Sequence, residues 1–129
     1  MQDRPTFDEL LAAVERWLDE QVVARGEGAL RYQGRVAANV IRIVRRELEH
    51  EDEQLAREWE GLDGLLGASE RPGTRSSLRE ALALRNETLC ARIRAGDADE
   101  GPFRDTVLSH LRQTVRDKLA VTNPGWLRK

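Results

Sequence analysis

Apolar residues recur three and four positions apart along most of the chain, and this spacing limits the possible folds more than any other feature of the sequence. Such spacing places side chains on one face of an α-helix, whereas a half-buried strand would need strict alternation. The first stripe consists of Leu10, Leu11, Val14, Trp17, Leu18 and Val22. Comparable stripes follow, and no segment shows a strand pattern. The sequence therefore predicts an all-α protein, an antiparallel bundle of four to five helices.

Capping residues and breaks in the apolar pattern predict the bounds of the first three helices. Thr6 begins a capping box at the start of the first helix, and the glycines of 26–28 end that helix. A second helix is predicted over about 30–48. We expect the acidic run over 47–53 to form a solvated hinge before a weaker third helix that ends near Leu66.

Two further helices are predicted in the second half of the chain. Pro, Gly and Ser cluster over 67–77, so this segment is expected to be a loop. Ser77 begins a second capping box, and Gly96 ends the helix that follows. Pro102 suits the first turn of a fifth helix, which is expected to continue to about Val121.

Length and composition narrow the class of protein. The chain has 129 residues, a net charge of −2 and one cysteine, so we expect a single domain over 1–129 without a disulfide. No apolar run approaches the ~20 residues of a membrane span, and the acidic start does not resemble a secretory signal. A cytoplasmic location is therefore expected. The near-zero net charge argues against nucleic-acid binding.

Residues suited to catalysis or metal binding are few. Glu47 and His50 form one Glu-x-x-His pair, but His110 follows Val107, so the second pair of a carboxylate-bridged metal site is missing. Cys90 lies within an apolar stripe and is interpreted as a small core residue rather than a nucleophile. We therefore expect no metal, no cofactor and no catalytic residue, which makes an enzyme the less favoured class.

A basic row on the second helix is the strongest candidate binding feature. Arg35, Asn39, Arg42 and Arg46 are spaced four, three and four residues apart and share one helical face. Guanidinium groups bind phosphate and carboxylate groups in a bidentate manner, so this row could contact an anionic ligand or an acidic partner. The favoured alternative is a solvated face whose charges are compensated by the acidic run over 47–53.

Two further residues are open to more than one interpretation. Asn86 lies inside an apolar stripe, where a buried amide must find hydrogen-bond partners. It is expected to specify packing, with ligand binding as the alternative. Trp126 follows the last helix and is expected to fold back onto apolar surface, although together with Trp17 and Trp59 it could instead mark a partner surface.

Six short segments, taken in order, resemble a bacterial family of unknown function. They are DRPT at 3–6, RVAAN at 35–39, RREL at 45–48, NETLC at 86–90, IRAG at 93–96 and DKLAVTNP at 117–124. Proteins of this kind resemble companions of aminoglycoside-phosphotransferase-like kinases and acyl-CoA dehydrogenases. The resemblance implies an accessory role in acyl-CoA or small-molecule catabolism, and it supplies no catalytic residues.

The sequence is therefore compatible with two functions from different classes. The first is a non-catalytic accessory protein that binds a kinase-like or dehydrogenase-like protein, with a homo-oligomer as a further expectation. The alternative is a binder of a phosphorylated or CoA-linked compound that uses Arg35, Arg42 and Arg46. A ligand binder should contain a lined pocket beside Asn86 or the basic row, whereas an interaction protein should have a filled core and an exposed apolar patch.

Overall fold

The computed structural model describes residues 3–128, which form four α-helices. The helices are α1 (Phe7–Trp17), α2 (Gly28–Leu66), α3 (Arg75–Arg94) and α4 (Gly101–Thr122). A π-helical turn, Leu18–Val23, extends α1, and a 3-10 turn, Pro124–Arg128, follows α4. No strand occurs within the described residues, so the all-α prediction is confirmed. None of the helices there is long and apolar enough to cross a membrane.

The chain divides into two compact units, with the boundary between Glu49 and His50. The first unit contains α1, the π-helical turn and the N-terminal part of α2. The second unit contains the rest of α2 together with α3 and α4. The expectation of a single domain over 1–129 stays a prediction.

Local capping chemistry sets most of the helix bounds. The Thr6 hydroxyl accepts a hydrogen bond from the Glu9 backbone N–H at 3.2 Å, while the Glu9 carboxylate accepts one from the Thr6 backbone N–H at 2.7 Å, as predicted. Gly96, with φ of 92°, follows the end of α3 as expected. The start of α3 differs from the prediction. Its cap is Thr74, whose hydroxyl accepts from the Ser77 backbone N–H at 3.2 Å, so the helix begins before Ser77.

The predicted hinge at 47–53 is wrong, because α2 continues through it without a break. Glutamate is a good helix former, and Glu53 pairs with an arginine one turn further along. Glu51 lies in the second unit and is only 4% exposed; its carboxylate pairs with Arg75 at 3.2 Å and also with Arg79. The acidic run therefore anchors the start of α3.

Large buried side chains are concentrated in the second unit. Its core consists of Trp59, Leu62, Leu65, Leu78, Leu82, Leu89 and Val107. The Arg85 guanidinium lies 4.3 Å from the centre of the Trp59 ring and covers the outer side of this core. In the first unit, by contrast, only Gly34 and Ala38 are buried among the described residues. That hairpin consequently has no core of large apolar side chains.

Candidate functional site

Ion pairs hold the hairpin of the first unit together along a seam between α1 and α2. The Arg42 Nε atom donates to the Glu15 carboxylate at 2.7 Å, and another nitrogen of Arg42 donates to Asp19. Arg45 donates to Asp8 at 2.8 Å and to Glu15 at 2.7 Å. Because residues early in α1 pair with residues late in the first-unit part of α2, the two helices are antiparallel.

The charges of this seam compensate one another. Hydrogen bonds from Arg45 lower the pKa of Asp8 below its ordinary value. Burial by itself lowers the pKa of Arg42, but the hydrogen bonds and charges of Asp19 and Glu15 outweigh that effect and raise it. The partners of Arg42 thus come from α1 and from the π-helical turn that extends it, and not from the acidic run over 47–53 that the sequence indicated.

Small residues let α2 approach the turn that follows α1. A Cβ atom on Gly34 would lie 2.7 Å from a methyl group of Val22 and 3.2 Å from one of Val23. Such distances are shorter than a carbon–carbon contact allows, so a larger residue at this position would push the two segments apart. Gly34 therefore marks a place where α2 packs closely on this turn, and Ala38, one helical turn further along, is fully buried.

Away from the seam, the hairpin exposes two rows of large apolar side chains, which we call the apolar face. Their exposed fractions range from 37% at Leu48 to 61% at Phe7. The apolar face consists of Phe7, Leu10, Val14, Trp17, Val36, Val40, Val44 and Leu48. The sequence predicted most of these residues as the inward stripes of two helices. The helical period is confirmed, but each of these side chains stays at least 37% exposed instead of entering a core.

Both rows lie on the same side of the hairpin. At about 100° per residue, each row is rotated from the seam by roughly 130° in the same sense about its own helix. In an antiparallel pair, equal rotations of the same sense point to one side. From the exposed fractions, the apolar face presents on the order of 700 Å² to solvent, whereas the largest patch on a monomer is usually ~300–600 Å².

The sequence-predicted binding residues have different surroundings. Arg35 and Asn39 are exposed, Arg42 belongs to the seam, and Arg46 is half-buried. Asn86 lies in the second unit, where its side-chain amide donates to the Glu58 carboxylate at 2.7 Å. That bond fits the packing interpretation of the amide. Ligand or partner binding by these residues stays a prediction.

Two predictions of burial are wrong. Cys90 is exposed, although its neighbours in sequence belong to an apolar stripe. Cys90 directly follows the buried Leu89, and a step of one residue turns the side chain by about 100° around the helix, which is enough to leave the inward face of α3. Trp126 is 67% exposed and does not fold back onto apolar surface, whereas Trp59 is buried in the core. Trp17, on the apolar face, is 58% exposed.

A polar groove of about 600 Å³ lies in the second unit between α2 and α4. His110 is packed so closely on α2 that a Cβ atom on Gly61 would lie 2.3 Å from its Nδ1 atom. Burial lowers the pKa of His110, although the charge of Glu58 opposes this effect. Arg57, which lines the groove, donates to Asp117 at 2.5 Å.

Sequence reasoning missed this groove. A glycine in the interior of a helix costs about 1 kcal/mol relative to alanine, so Gly61 signalled a place of close packing. Neither of the histidines belongs to a metal cluster: within residues 3–128, no three His, Cys, Asp or Glu side chains are grouped so that they could hold an ion.

Comparison with known proteins identifies the family. Residues 24–126 match the domain of unknown function DUF6285. The chain belongs to this family. The match includes α2, α3 and α4, whereas α1 and its four apolar-face residues Phe7, Leu10, Val14 and Trp17 precede it. No curated protein and no solved structure matches the chain. The resemblance to a family of unknown function is therefore confirmed at that level.

Proposed function

We propose that the chain is a non-catalytic interaction protein and that the apolar face of the first unit is its working surface. The observation that carries this proposal is the exposure of eight large apolar side chains on one side of a hairpin in which, among the described residues, only Gly34 and Ala38 are fully buried. Burying apolar surface contributes ~25 cal/mol per Å², so a binding partner that covers this face gains a large driving force. The eight side chains of the face are themselves uncharged, and the arginines of the seam are paired with carboxylates of the same hairpin.

A kinase-like or dehydrogenase-like protein is the partner that the sequence resemblance implies, and an accessory role beside such an enzyme is part of this proposal. The apolar face supports a protein partner because the centre of a stable interface is depleted of charge and enriched in aromatic residues. Phe7 and Trp17 supply two aromatic anchors there.

Oxidative footprinting read by mass spectrometry tests this function within one molecule. Trp17 and Trp126 are both exposed, whereas only Trp17 belongs to the apolar face, so Trp126 is the internal control. We expect oxidation of Trp17, but not of Trp126, to fall when the chain binds its partner. The probes are a concentrated solution of the chain itself, a purified kinase-like protein and a purified acyl-CoA dehydrogenase-like protein. Equal reactivity of the two tryptophans with every probe contradicts the proposal.

The groove in the second unit favours ligand binding as a second candidate function. Its lining includes Arg112 and Arg116 together with the hydroxyl of Ser109, which are donors suited to a phosphate group. Titration calorimetry with ATP and with CoA tests this candidate. Binding that Arg116→Gln weakens and Arg35→Gln leaves unchanged supports the groove, because Arg35 lies in the first unit. The absence of binding by wild type excludes it for these two ligands.

A further inference from the structure

We infer that a second copy of this chain covers the apolar face, so that two first-unit hairpins form one four-helix bundle. This inference rests on the proposed function and names the partner at the same surface. The proposed symmetry is a twofold axis parallel to the helices. The second copy is favoured by the missing core of the hairpin, by the area of the face and by the distribution of large and small side chains on it.

The missing core requires a second layer of apolar side chains. A helix that is apolar along one stripe is stable only when that stripe packs against another element. Within the first unit, α1 and α2 are joined by ion pairs, Gly34 packs against Val22 and Val23, and Leu11, Leu18 and Ile41 are half-buried, whereas the eight side chains of the apolar face stay 37–61% exposed. An identical hairpin laid on this face supplies the second layer, and the product has the architecture of a four-helix bundle.

The area of the face matches what a stable dimer needs. Each copy would contribute on the order of 700 Å², close to the ~800 Å² that each partner contributes to a stable interface of standard size. A twofold interface brings the same patch of both copies together, so a charged patch would repel itself. All eight side chains of the apolar face are uncharged, and the one acidic residue on the same side of α2, Glu47, lies toward the end of the row, beside Leu48.

Side-chain size on the two helices selects one arrangement of the two copies. The α1 row carries both aromatic residues, Phe7 and Trp17, beside Leu10 and Val14, whereas the α2 row consists of Val36, Val40, Val44 and Leu48. A twofold axis parallel to the helices lays α1 of one copy over α2 of the other, so that Trp17, the largest side chain of the face, faces the valines of the α2 row. The Glu15–Arg42 pair shows that these two residues lie at the same height along the antiparallel helices, so Trp17 lies at the height of Val40. Trp17 of one copy consequently packs near Val40 of the second copy.

Sedimentation equilibrium of the full chain tests the stoichiometry. We expect wild type to have twice the 14.7 kDa mass of the chain at micromolar concentration and to dissociate on dilution. Val40→Glu places a charge in the middle of the face and should raise the dissociation constant by about tenfold or more. Leu84→Glu is the matched control, since Leu84 is 65% exposed in the second unit, and it should leave the dimer unchanged.

Circular dichroism distinguishes a folded variant that no longer dimerises from a variant that has unfolded. Val40 is half exposed, so the helical signal of Val40→Glu should equal that of wild type diluted until it is monomeric. If Val40→Glu unfolds, Trp17→Ala takes its place, because it removes an exposed side chain without adding charge. A wild-type chain that stays monomeric at every concentration overturns the inference, as does a dimer that neither variant weakens.

Disulfide cross-linking tests the arrangement. In a Cys90→Ser background, Val14→Cys protein mixed with Val44→Cys protein should form a cross-linked dimer that neither protein forms alone. Cross-linking of Val14→Cys to itself would mean that α1 lies over α1, which overturns the proposed axis. One outcome separates this inference from the proposed function. If the chain is monomeric and Trp17 is shielded only by another protein, the dimer inference is overturned, whereas the proposed function as an interaction protein is supported.

Discussion

Replacing Gly61 with alanine should lower the stability of the second unit, although alanine is the better helix former. The new methyl group would lie 2.3 Å from Nδ1, 2.9 Å from Cε1 and 3.4 Å from Cγ of His110. The first two distances are too short for any real contact, so the ring or one of the two helices must move. Overpacking of this kind costs ~1–3 kcal/mol, whereas the gain in helix propensity is about 1 kcal/mol.

Gly64 provides a matched control on the same helix, one turn further along. No atom lies within 4 Å of a Cβ built at Gly64, so Gly64→Ala keeps only the propensity gain. Because Gly64 is near the end of α2, that gain should be at most about 1 kcal/mol. The difference between the two variants isolates the packing cost, and we expect it to be ~1–3 kcal/mol in favour of Gly64→Ala.

Urea unfolding followed by circular dichroism measures the free energy of unfolding for both variants. Adding His110→Ala to Gly61→Ala removes the ring that the methyl group meets, so the double variant should be more stable than additivity predicts. A Gly61→Ala variant as stable as Gly64→Ala would refute the close contact between His110 and α2. Additive effects of Gly61→Ala and His110→Ala would do the same.

Three further predictions concern single side chains. Arg42→Gln should lower the free energy of unfolding by about 1 kcal/mol and should make unfolding less sensitive to salt. Arg35 is an exposed residue on the same helix, so Arg35→Gln should cost almost nothing. Equal losses in the two variants would contradict the role of the seam. Cys90→Ala should change stability by less than about 0.5 kcal/mol, and the folded chain should react fully with a thiol reagent, since the thiol is exposed. Because burial lowers the pKa of His110 below its ordinary value of 6.5, the unfolded chain binds the proton more readily. The free energy of unfolding should therefore fall as the pH drops below about 6.5, and His110→Gln should flatten that dependence in urea titrations at several pH values.

The sequence by itself determined the helical segments of this protein and several of their ends. Helix periodicity and capping are local properties, because they depend on residues three and four positions apart. For this reason the capping box at Thr6 and the glycine stop at Gly96 were predictable. The same local reasoning failed at 47–53, where glutamates suited to a helix were interpreted as a break. Whether Glu51 faced water or the arginines of α3 depended on a residue about 25 positions away.

Only the tertiary structure decided which apolar stripes became core and which became surface. The stripes of α1 and of α3 have the same period, yet Leu82 is 4% exposed and Val14 is 47% exposed. Periodicity identifies the face of a helix that needs a partner, but it does not show whether the chain supplies that partner. The ion pairs of the seam depend likewise on the register between two antiparallel helices. That register brought Arg42 to Glu15 and Asp19, and it left the apolar face of the first unit open to a second molecule.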